Sequence, residues 1–561
     1  MNSELFQLAL SYHQGGLLNQ AEQIYQQLLE QNPNDSNILH LYGILLSQKG
    51  DYAQSLKFIN HALDSEPDSA TFHNSLGNVL WYLKNYDEAI IHYERSLELN
   101  PHSPTAHNNL GNLYAKHDND RKALQHYETA IELKADYAEA YYNLAILLIK
   151  LDRQEEAIIA LEKTVTLEPQ FAEAQKQLAQ LLLETNQLEK ALYHYQERLA
   201  LVHNDVDTYV NIGGILVKQG ELPKALEYFN KALAVDPLHH EAHYNLGSTY
   251  LSLQKAEEAL KHFLQCLQHQ PDADTFFNVG AIYMFKDRYL DAIEYFKAAL
   301  DMRPDFLDAH VNLGATYLKI ERYDESLSHY RAALKLDPNS TELQYIISAL
   351  TEEGGQTKTP PQFVKNLFDQ YAPYFETHLT KCLSYQGHKL LFNSVSALLG
   401  TRHDLTIVDL GCGTGLCGEL FKDYAKKLIG IDISSKMIEL TQAKNIYDEL
   451  LVEDLTTAIS HMHHIDLILA ADVFGYFGDL EDIFSRSYAA LNEGGYFAFT
   501  VEKLEEKNYA LQKSTRFAHS KAYIYELSNK NSFKILQEDE VQLRVQRRTP
   551  VFGYLFILQK S

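Results

Sequence analysis

The sequence predicts two architectures in one chain: an all-α solenoid of about ten repeats, then an α/β domain built on a mostly parallel, Rossmann-like sheet. Three observations predict it. Pro33, Pro67, Pro101, Pro169, Pro237, Pro271, Pro304 and Pro338 recur at 34 residues or twice that, with a single interval of 33. From about residue 361, short β-rich runs (LTIVDL, KLIGID, DLILAA, GYFAFTV) alternate with helical stretches. A length of 561 residues exceeds what one core holds, while 45% hydrophobic and 22% charged side chains are ordinary for globular protein.

Each repeat reads helix, turn, helix. A small residue stands one turn into each unit, from Ala9, Gly43 and Gly77 to Gly280 and Gly314, and Ala or Ser follows, from Ala21 and Ser55 to Ala292 and Ser326. Small side chains at both places let two antiparallel helix backbones approach, and proline, which cannot continue a helix, punctuates the link to the next unit. The sixth unit has His203 at the proline position and Arg198 where a small residue is usual, which predicts a local irregularity. The spacing and runs such as NLGNLYAKHDNDRKALQHYETAIEL (Asn109 to Leu133) resemble the tetratricopeptide repeat over about residues 2–340. The resemblance implies a superhelix lined inside by the first helix of each unit, a concave surface for peptides or extended protein segments. Two residues before the small position stand Asn109, Asn143, Asn211, Asn245, Asn278 and Asn312. Such a row of amides, each offering a donor and an acceptor, suits a peptide backbone; the alternative is that asparagine is common there in such repeats generally.

The periodicity fades after Pro338, and Gly354, Gly355, Pro360 and Pro361 mark a linker. The expected divisions are a repeat domain at 1–340, a linker at 341–361 and an α/β domain at 362–561. Net charge is −26, of which −22 falls in residues 1–360. That surface repels phosphate, so nucleic acid is not an expected partner, and a basic protein segment is favoured if the charge faces inward. No run approaches the roughly 18 uncharged apolar residues of a membrane span, and the start lacks a basic region and cleavage site. Cys266, Cys382, Cys412 and Cys417 show neither metal-ligand spacing nor a disulfide framework. The expectation is a cytoplasmic protein with no metal and no membrane segment.

TIVDLGCGTGLCGEL (Thr406 to Leu420) reads as an apolar strand, a glycine-rich turn and a helix start, the ligand crevice at the carboxyl end of a strand. Gly411, Gly413 and Gly415 permit a sharp turn and close approach of a ligand to the main chain. Gly413-x-Gly415-x-x-Gly418 also satisfies the dinucleotide fingerprint, so two ligands compete. Asp409 separates them: a carboxylate two residues before the first glycine repels a pyrophosphate and suits a ligand carrying an ammonium and a sulfonium. Asp432 ends the next strand, where an acidic side chain accepts from both ribose hydroxyls under either reading. Asp454 follows a third short strand, either to accept from an adenine amino group or to begin a helix; Asp472 follows a fourth, facing ligand or capping the next helix. Cys412 and Cys417 fit as small buried side chains in the turn.

These runs resemble the class I S-adenosylmethionine-dependent methyltransferases, in particular bacterial ones preceded by tetratricopeptide repeats. FDQYAPYFETHL (Phe368 to Leu379), DLILAADVFGYFGDL (Asp466 to Leu480), LNEGGYFAFTVE (Leu491 to Glu502) and RFAHSKAYIYEL (Arg516 to Leu527) carry the likeness further. The resemblance implies a seven-stranded sheet whose last two strands, in SFKILQEDEVQLR and VFGYLFILQK, form an edge hairpin that the dehydrogenase fold lacks. It implies S-adenosyl-L-methionine as cofactor, its methionine end held by Asp409 and the loop Gly411, Cys412, Gly413 and Gly415. Asp432 would take the ribose, Ile433 and Met437 an adenine face, and Asp454 the adenine edge, with Leu455 and Asp472 also in the cofactor set. Tyr371 and Tyr374 would belong to a lid helix.

Methyl transfer from a sulfonium is an in-line displacement with a neutral leaving group, so positioning and desolvation supply most of the acceleration and a dedicated base is optional. Candidates for proton removal or substrate contact are Asp472, Tyr476, His519 and Tyr523, against a plain core or lid role. No Asn/Asp-Pro-Pro-Tyr follows the fourth strand and no Pro-Cys nucleophile is present, so methylation of nucleic-acid bases loses support. The expected function is methyl transfer to a protein or peptide recruited by the repeats. The alternatives are a small-molecule, glycan or lipid acceptor with the repeats serving assembly, or a scaffold that holds cofactor without turnover.

Overall fold

The computed structural model describes residues 2–351, 355–546 and 549–561. Gly354, read above as part of the linker, lies outside the described residues, as does the side chain of Cys382. The chain divides into two compact units between Gln270 and Pro271, so the last two repeats group with the α/β domain and the division falls before the change of sequence grammar at 341–361.

Among its described residues the first unit holds eight antiparallel helix pairs, from Asn2–Gln14 with Leu18–Gln31 to His240–Ser252 with Ala256–His269. A Cβ built on Gly77 would lie 2.6 Å from the Tyr93 ring, and one on Gly213 would lie 2.4 Å from Phe229. A ring of the second helix therefore fills the space that the first helix leaves empty, which fixes how closely the pair packs. Ser55 can stand for alanine because its hydroxyl donates to the Gly43 carbonyl at 2.6 Å. Arg198 is absorbed without breaking its helix, Leu188–Leu201: its guanidinium donates to the Ala172 carbonyl at 2.9 Å and to Asp205 at 2.6 Å.

Imidazole pairs also join the two helices of several repeats: His73 to His92 and His107 to His126, Nδ1 to Nδ1 at 2.9 Å, and His243 to His262 at 3.0 Å. The first ring's Nε2 lies against the carbonyl of Pro67, Pro101 or Pro237, which leaves its Nδ1 for the partner ring. Burial and the partner ring push His126 and His262 down to about 4.

The second unit begins with two further helix pairs, Ala273–Phe285 with Tyr289–Met302 and Leu307–Lys319 with Tyr323–Leu336. His310 and His329 repeat the imidazole pairing at 3.1 Å. Much of the expected linker is helix, Thr341–Thr351, and it docks onto the α/β domain. Its Tyr345 is fully buried, with the hydroxyl bonded to Thr359 Oγ1 and to the Thr515 carbonyl, each at 2.8 Å.

The α/β domain contains β1 Leu405–Leu410, β2 Ala425–Asp432, β3 Glu449–Val452, β4 Ile465–Ala470, β5 Leu491–Leu504, β6 Tyr509–Leu511, β7 Phe517–Ser520, β8 Phe533–Gln546 and β9 Thr549–Lys560. Seven of these run in the order β3-β2-β1-β4-β5-β9-β8, parallel as far as β5, with β9 antiparallel between β5 and β8. The inserted β9 is the hairpin strand that the sequence resemblance implies. The short β7 and β6 add a patch at the end of β5 that the sequence did not announce. β1 and β4 are buried along nearly their whole length, which is why LTIVDL and DLILAA are apolar rather than alternating. Chain order reverses between these two neighbours, and ligand crevices form at such a switch.

Candidate active site

At this switch the carboxyl ends of the strands open onto a cleft of about 910 Å³. Gly411, Gly413, Asp432, Ile433, Asp454, Leu455, Asp472 and Tyr476 line it, with Tyr371 from helix Pro361–Tyr371. Gly411 has φ +66° and a Cβ there would sit 2.7 Å from Val473 Cγ2; Gly413 has φ +52°. Both positions demand glycine. Asp432 fastens the bend, its Oδ2 accepting from Gly413 N–H and its Oδ1 from Ser434 N–H, each at 2.9 Å. Asp409 ends β1 beneath the loop, 1% exposed, and accepts from the Tyr447 hydroxyl at 2.6 Å. Burial, only partly offset by that bond and reinforced by Asp432, pushes its carboxyl up to about 7. The Thr414 hydroxyl is buried in the loop with no hydrogen-bond partner among the described residues.

On the β3 side, Asp454 caps helix Leu455–Ser460 through Thr456 N–H at 3.1 Å and gives its other oxygen to Lys358 Nζ at 2.7 Å. Burial works to raise its carboxyl, but Lys358 and Thr456 outweigh it and hold the group below the usual range. The helix-start role is therefore realised, and any adenine contact must be shared with Lys358.

On the β4 side, Asp472 stands at φ +62° and takes two guanidiniums, Arg516 at 2.6 Å and Arg544 at 3.2 Å. The same arginines hold Glu502 at 2.5 and 2.7 Å, and Arg516 Nη1 donates to the Tyr476 hydroxyl at 2.9 Å. Two buried cations thus balance two buried anions. Despite its burial, Glu502 is held below the usual carboxylate range by the pair. Tyr385, 4% exposed and on the cleft wall, has a hydroxyl with no partner among the described residues.

Several expected residues are not on the wall. Asp409 acts from beneath the loop, and Cys412 and Gly415 form the turn behind it. Met437 is fully buried in helix Ser435–Ala443. His519 is fully buried, bonded to the Gly478 carbonyl at 3.0 Å, and pushed down to about 4 by burial. Tyr523 stacks on it and donates to Asp479 at 2.9 Å, a packing role. Tyr374 is 46% exposed and meets the Phe285 ring instead. Conversely, Leu318, Lys319, Glu321 and Tyr323 of the last repeat do line the cleft. Sequence reasoning missed these, as it missed Lys358, Tyr385, Tyr447, Arg516 and Arg544, because no local motif marks them.

Of the asparagine row, Asn109 donates to Asn74 Oδ1 at 3.2 Å and to Asn78 Oδ1 at 2.9 Å, and Asn143 donates to Asn108 at 3.0 Å. These amides stitch adjacent repeats together. Asn109 also lines a second cavity, of about 670 Å³, with Asn74, Asn78 and Trp81. Asn211 and Asn245 keep the same register in the first unit, and Asn278 and Asn312 in the second.

Among the described residues no group of three or more His, Cys, Asp or Glu could hold a metal ion, and no helix is long and apolar enough to cross a membrane. A family model described as a methyltransferase domain matches residues 408–499. Tetratricopeptide-repeat models match 13–78, 68–136, 126–159, 204–272 and 282–341. Ubiquinone biosynthesis O-methyltransferase of Rhodopseudomonas palustris (strain BisB18) is 27% identical over 121 residues, 21% of this chain and 46% of that protein. The probable S-adenosylmethionine-dependent methyltransferase CRG1 of Saccharomyces cerevisiae is 29% identical over 149 residues, 24% of this chain and 50% of that one. Malonyl-(acyl-carrier protein) O-methyltransferase of Yersinia pestis is 24% identical over 116 residues, 20% and 41% of the two chains. The chain spans about half the length of the curated relatives it matches. Among solved structures, the tetratricopeptide-repeat protein YrrB is 27% identical, covering 33% of this chain and 94% of its own, with a TM-score of 0.31. The chain is a tetratricopeptide-repeat array joined to a domain of the S-adenosylmethionine-dependent methyltransferase family.

Proposed function

We propose that the chain methylates an acceptor carried on a protein or peptide, with residues 1–340 recruiting it and residues 362–561 transferring a methyl group from S-adenosyl-L-methionine. The observation that carries the reading is a glycine bend lying over a buried carboxylate. Gly411 and Gly413 hold the left-handed backbone that brings the main chain to the cleft wall, and Asp409 beneath them favours a cationic end over a pyrophosphate. The unpartnered Thr414 hydroxyl fits the same cradle. Asp432 has lone pairs left for ribose hydroxyls after accepting its two backbone N–H groups, while Ile433 and Leu455 offer apolar surface to an adenine.

S-adenosyl-L-methionine, when bound, supplies an electrophilic methyl group on a sulfur that leaves neutral. The chain's own work is orientation and exclusion of water. Phe368 supplies an aromatic wall for this, against Tyr476 at 5.4 Å between ring centroids and Phe375 at 6.1 Å, with Tyr371 against Phe375 at 5.6 Å.

A protein-borne acceptor is supported by the last repeat, whose residues 318–323 contribute to the cleft wall. The negative charge of the array favours a basic segment over nucleic acid. A cytoplasmic setting belongs to the same proposal and agrees with the free thiols of Cys266, Cys412 and Cys417. A small or carrier-bound acceptor is the second reading, favoured by relatives named for ubiquinone biosynthesis and for malonyl-(acyl-carrier protein). Methyl-labelled cofactor incubated with the full chain and a bacterial extract decides: label on a protein band supports the first reading, label in the low-mass fraction the second. Cofactor binding without transfer to any fraction refutes both.

A further inference from the structure

We infer that the acceptor atom is a carboxylate oxygen, anchored by the Tyr385 hydroxyl beside Arg516 and Arg544, and that the product is a methyl ester. This rests on the methyltransferase reading and adds the chemistry of its acceptor.

The first ground is the unpartnered hydroxyl. A buried Tyr O–H normally finds a partner, and one left without costs free energy unless a ligand supplies it. The segment carrying Tyr385 is tied to β8 on both sides of Arg544, through Gln386 N–H to the Leu543 carbonyl at 3.0 Å and Val545 N–H to the Leu383 carbonyl at 2.7 Å. Asp472, Arg516 and Arg544 lie near enough to act on its titration, and burial keeps it protonated, so it is a donor. Its place is on the β4 side, away from Asp432 and Asp454, which would hold the nucleoside.

The second ground is what surrounds it. Asp472 and Glu502 are each held by both guanidiniums, so neither is available to take a proton. The Tyr476 hydroxyl is occupied by Arg516, and His519 lies off the cleft. His378 does line the cleft, but it stands against Tyr371 at 5.3 Å between ring centroids, in the field of Lys319 and Asp287, toward the repeats. His388 stacks on the Tyr385 ring at 5.5 Å between centroids but does not line the cleft; a hydroxyl or ammonium acceptor, which must lose a proton, therefore meets no free base on that part of the wall among the described residues. A carboxylate needs no base. Its oxygen forms the bond to the methyl carbon as the carbon–sulfur bond breaks, the electron pair stays on sulfur, and no proton moves. An anion and a cation become two neutral products, a change that a dry cleft favours. The ester is also a weaker acceptor for the Tyr385 hydroxyl than the carboxylate was, which favours its release.

The test uses the full chain loaded with S-adenosylhomocysteine, with glutarate as the carboxylate probe, read by calorimetry. Wild type should bind glutarate, and Tyr385→Phe should weaken that binding about tenfold or more while leaving S-adenosylhomocysteine affinity unchanged. If Tyr385→Phe weakens S-adenosylhomocysteine instead, the hydroxyl serves the methionine carboxylate and the inference falls. If wild type binds S-adenosylhomocysteine but not glutarate, the inference falls while the methyltransferase reading stands; if S-adenosylhomocysteine itself does not bind, the reading beneath it falls too. In a second arm, products labelled from methyl-labelled cofactor are brought to mild alkali: release as volatile methanol supports an ester, and an alkali-stable label overturns it.

Discussion

Asp409 connects burial to ligand choice and can be tested by titration. Its carboxyl sits at about 7 because it is 1% exposed and only the Tyr447 hydroxyl compensates its charge. The folded state therefore keeps a proton that the unfolded chain has lost. The stability due to this group is present below about pH 4 and is lost as pH rises through about 7. A cationic ligand end above the loop reverses the preference, since only the ionised form attracts it. About one Asp409 in ten is ionised at pH 6 and about three in four at pH 7.5, so S-adenosylhomocysteine affinity should rise about eightfold between them, with proton release on binding. Calorimetry in two buffers of different ionisation enthalpy reads both quantities, in a range where the ligand ammonium keeps its charge. Tyr447→Phe should move the inflection to higher pH, and Asp409→Asn should flatten it. Affinity that is level or falling across this range in wild type would refute the reasoning.

Gly411→Ala must accept φ +66° and a Cβ 2.7 Å from Val473, a local strain of about 1–3 kcal/mol, so S-adenosylhomocysteine affinity should drop at least tenfold with the circular dichroism spectrum unchanged. Arg544→Met leaves Glu502 and Asp472 to Arg516 alone and should destabilise the α/β domain by about 3–5 kcal/mol; a thermal melt should show Arg544→Met/Glu502→Leu recovering much of it. In the array, Gly213→Ala should cost about 1–3 kcal/mol because of Phe229, whereas Gly214→Ala, with nothing within 4 Å, should gain about 0.5–1 kcal/mol; equal melting temperatures would contradict the packing account. His126 and His262 have depressed folded values, so their contribution is present above pH 6.5 and lost as pH falls toward 4, and the array should melt progressively earlier over that interval, with His126→Gln showing a smaller dependence.

The repeats were legible because one physical requirement, close helix approach, recurs at a fixed interval and stamps Gly, Ala or Ser at each recurrence. The imidazole pairs obey the same 34-residue clock, and His73, His107 and His310 could have been noticed by it, with partners 19 residues on. The half of the cleft around the glycine bend was legible because its chemistry is local, as in the Gly411 turn and the acidic end of β2. The other half was not. Asp472 is separated from Arg516 by 44 residues and from Arg544 by 72, and the fold brings the first in beside β7, which pairs with β5, and the second in β8, which pairs with β9. Lys358 reaches Asp454 across 96 residues from a segment that reads as linker. His519 misled because RFAHSKAYIYEL reads as one helical run that could carry a histidine to substrate, whereas its first part is the strand β7 and His519 there is fully buried.

The central claim, that a sulfur nucleoside places its ammonium end in the bend above Asp409, is tested most directly by calorimetry of the full chain with S-adenosylhomocysteine and with NAD. The account predicts saturable one-to-one binding of S-adenosylhomocysteine that Gly411→Ala weakens at least tenfold, and no binding of NAD. Binding of NAD in preference, or S-adenosylhomocysteine binding that survives Gly411→Ala undiminished, would contradict it.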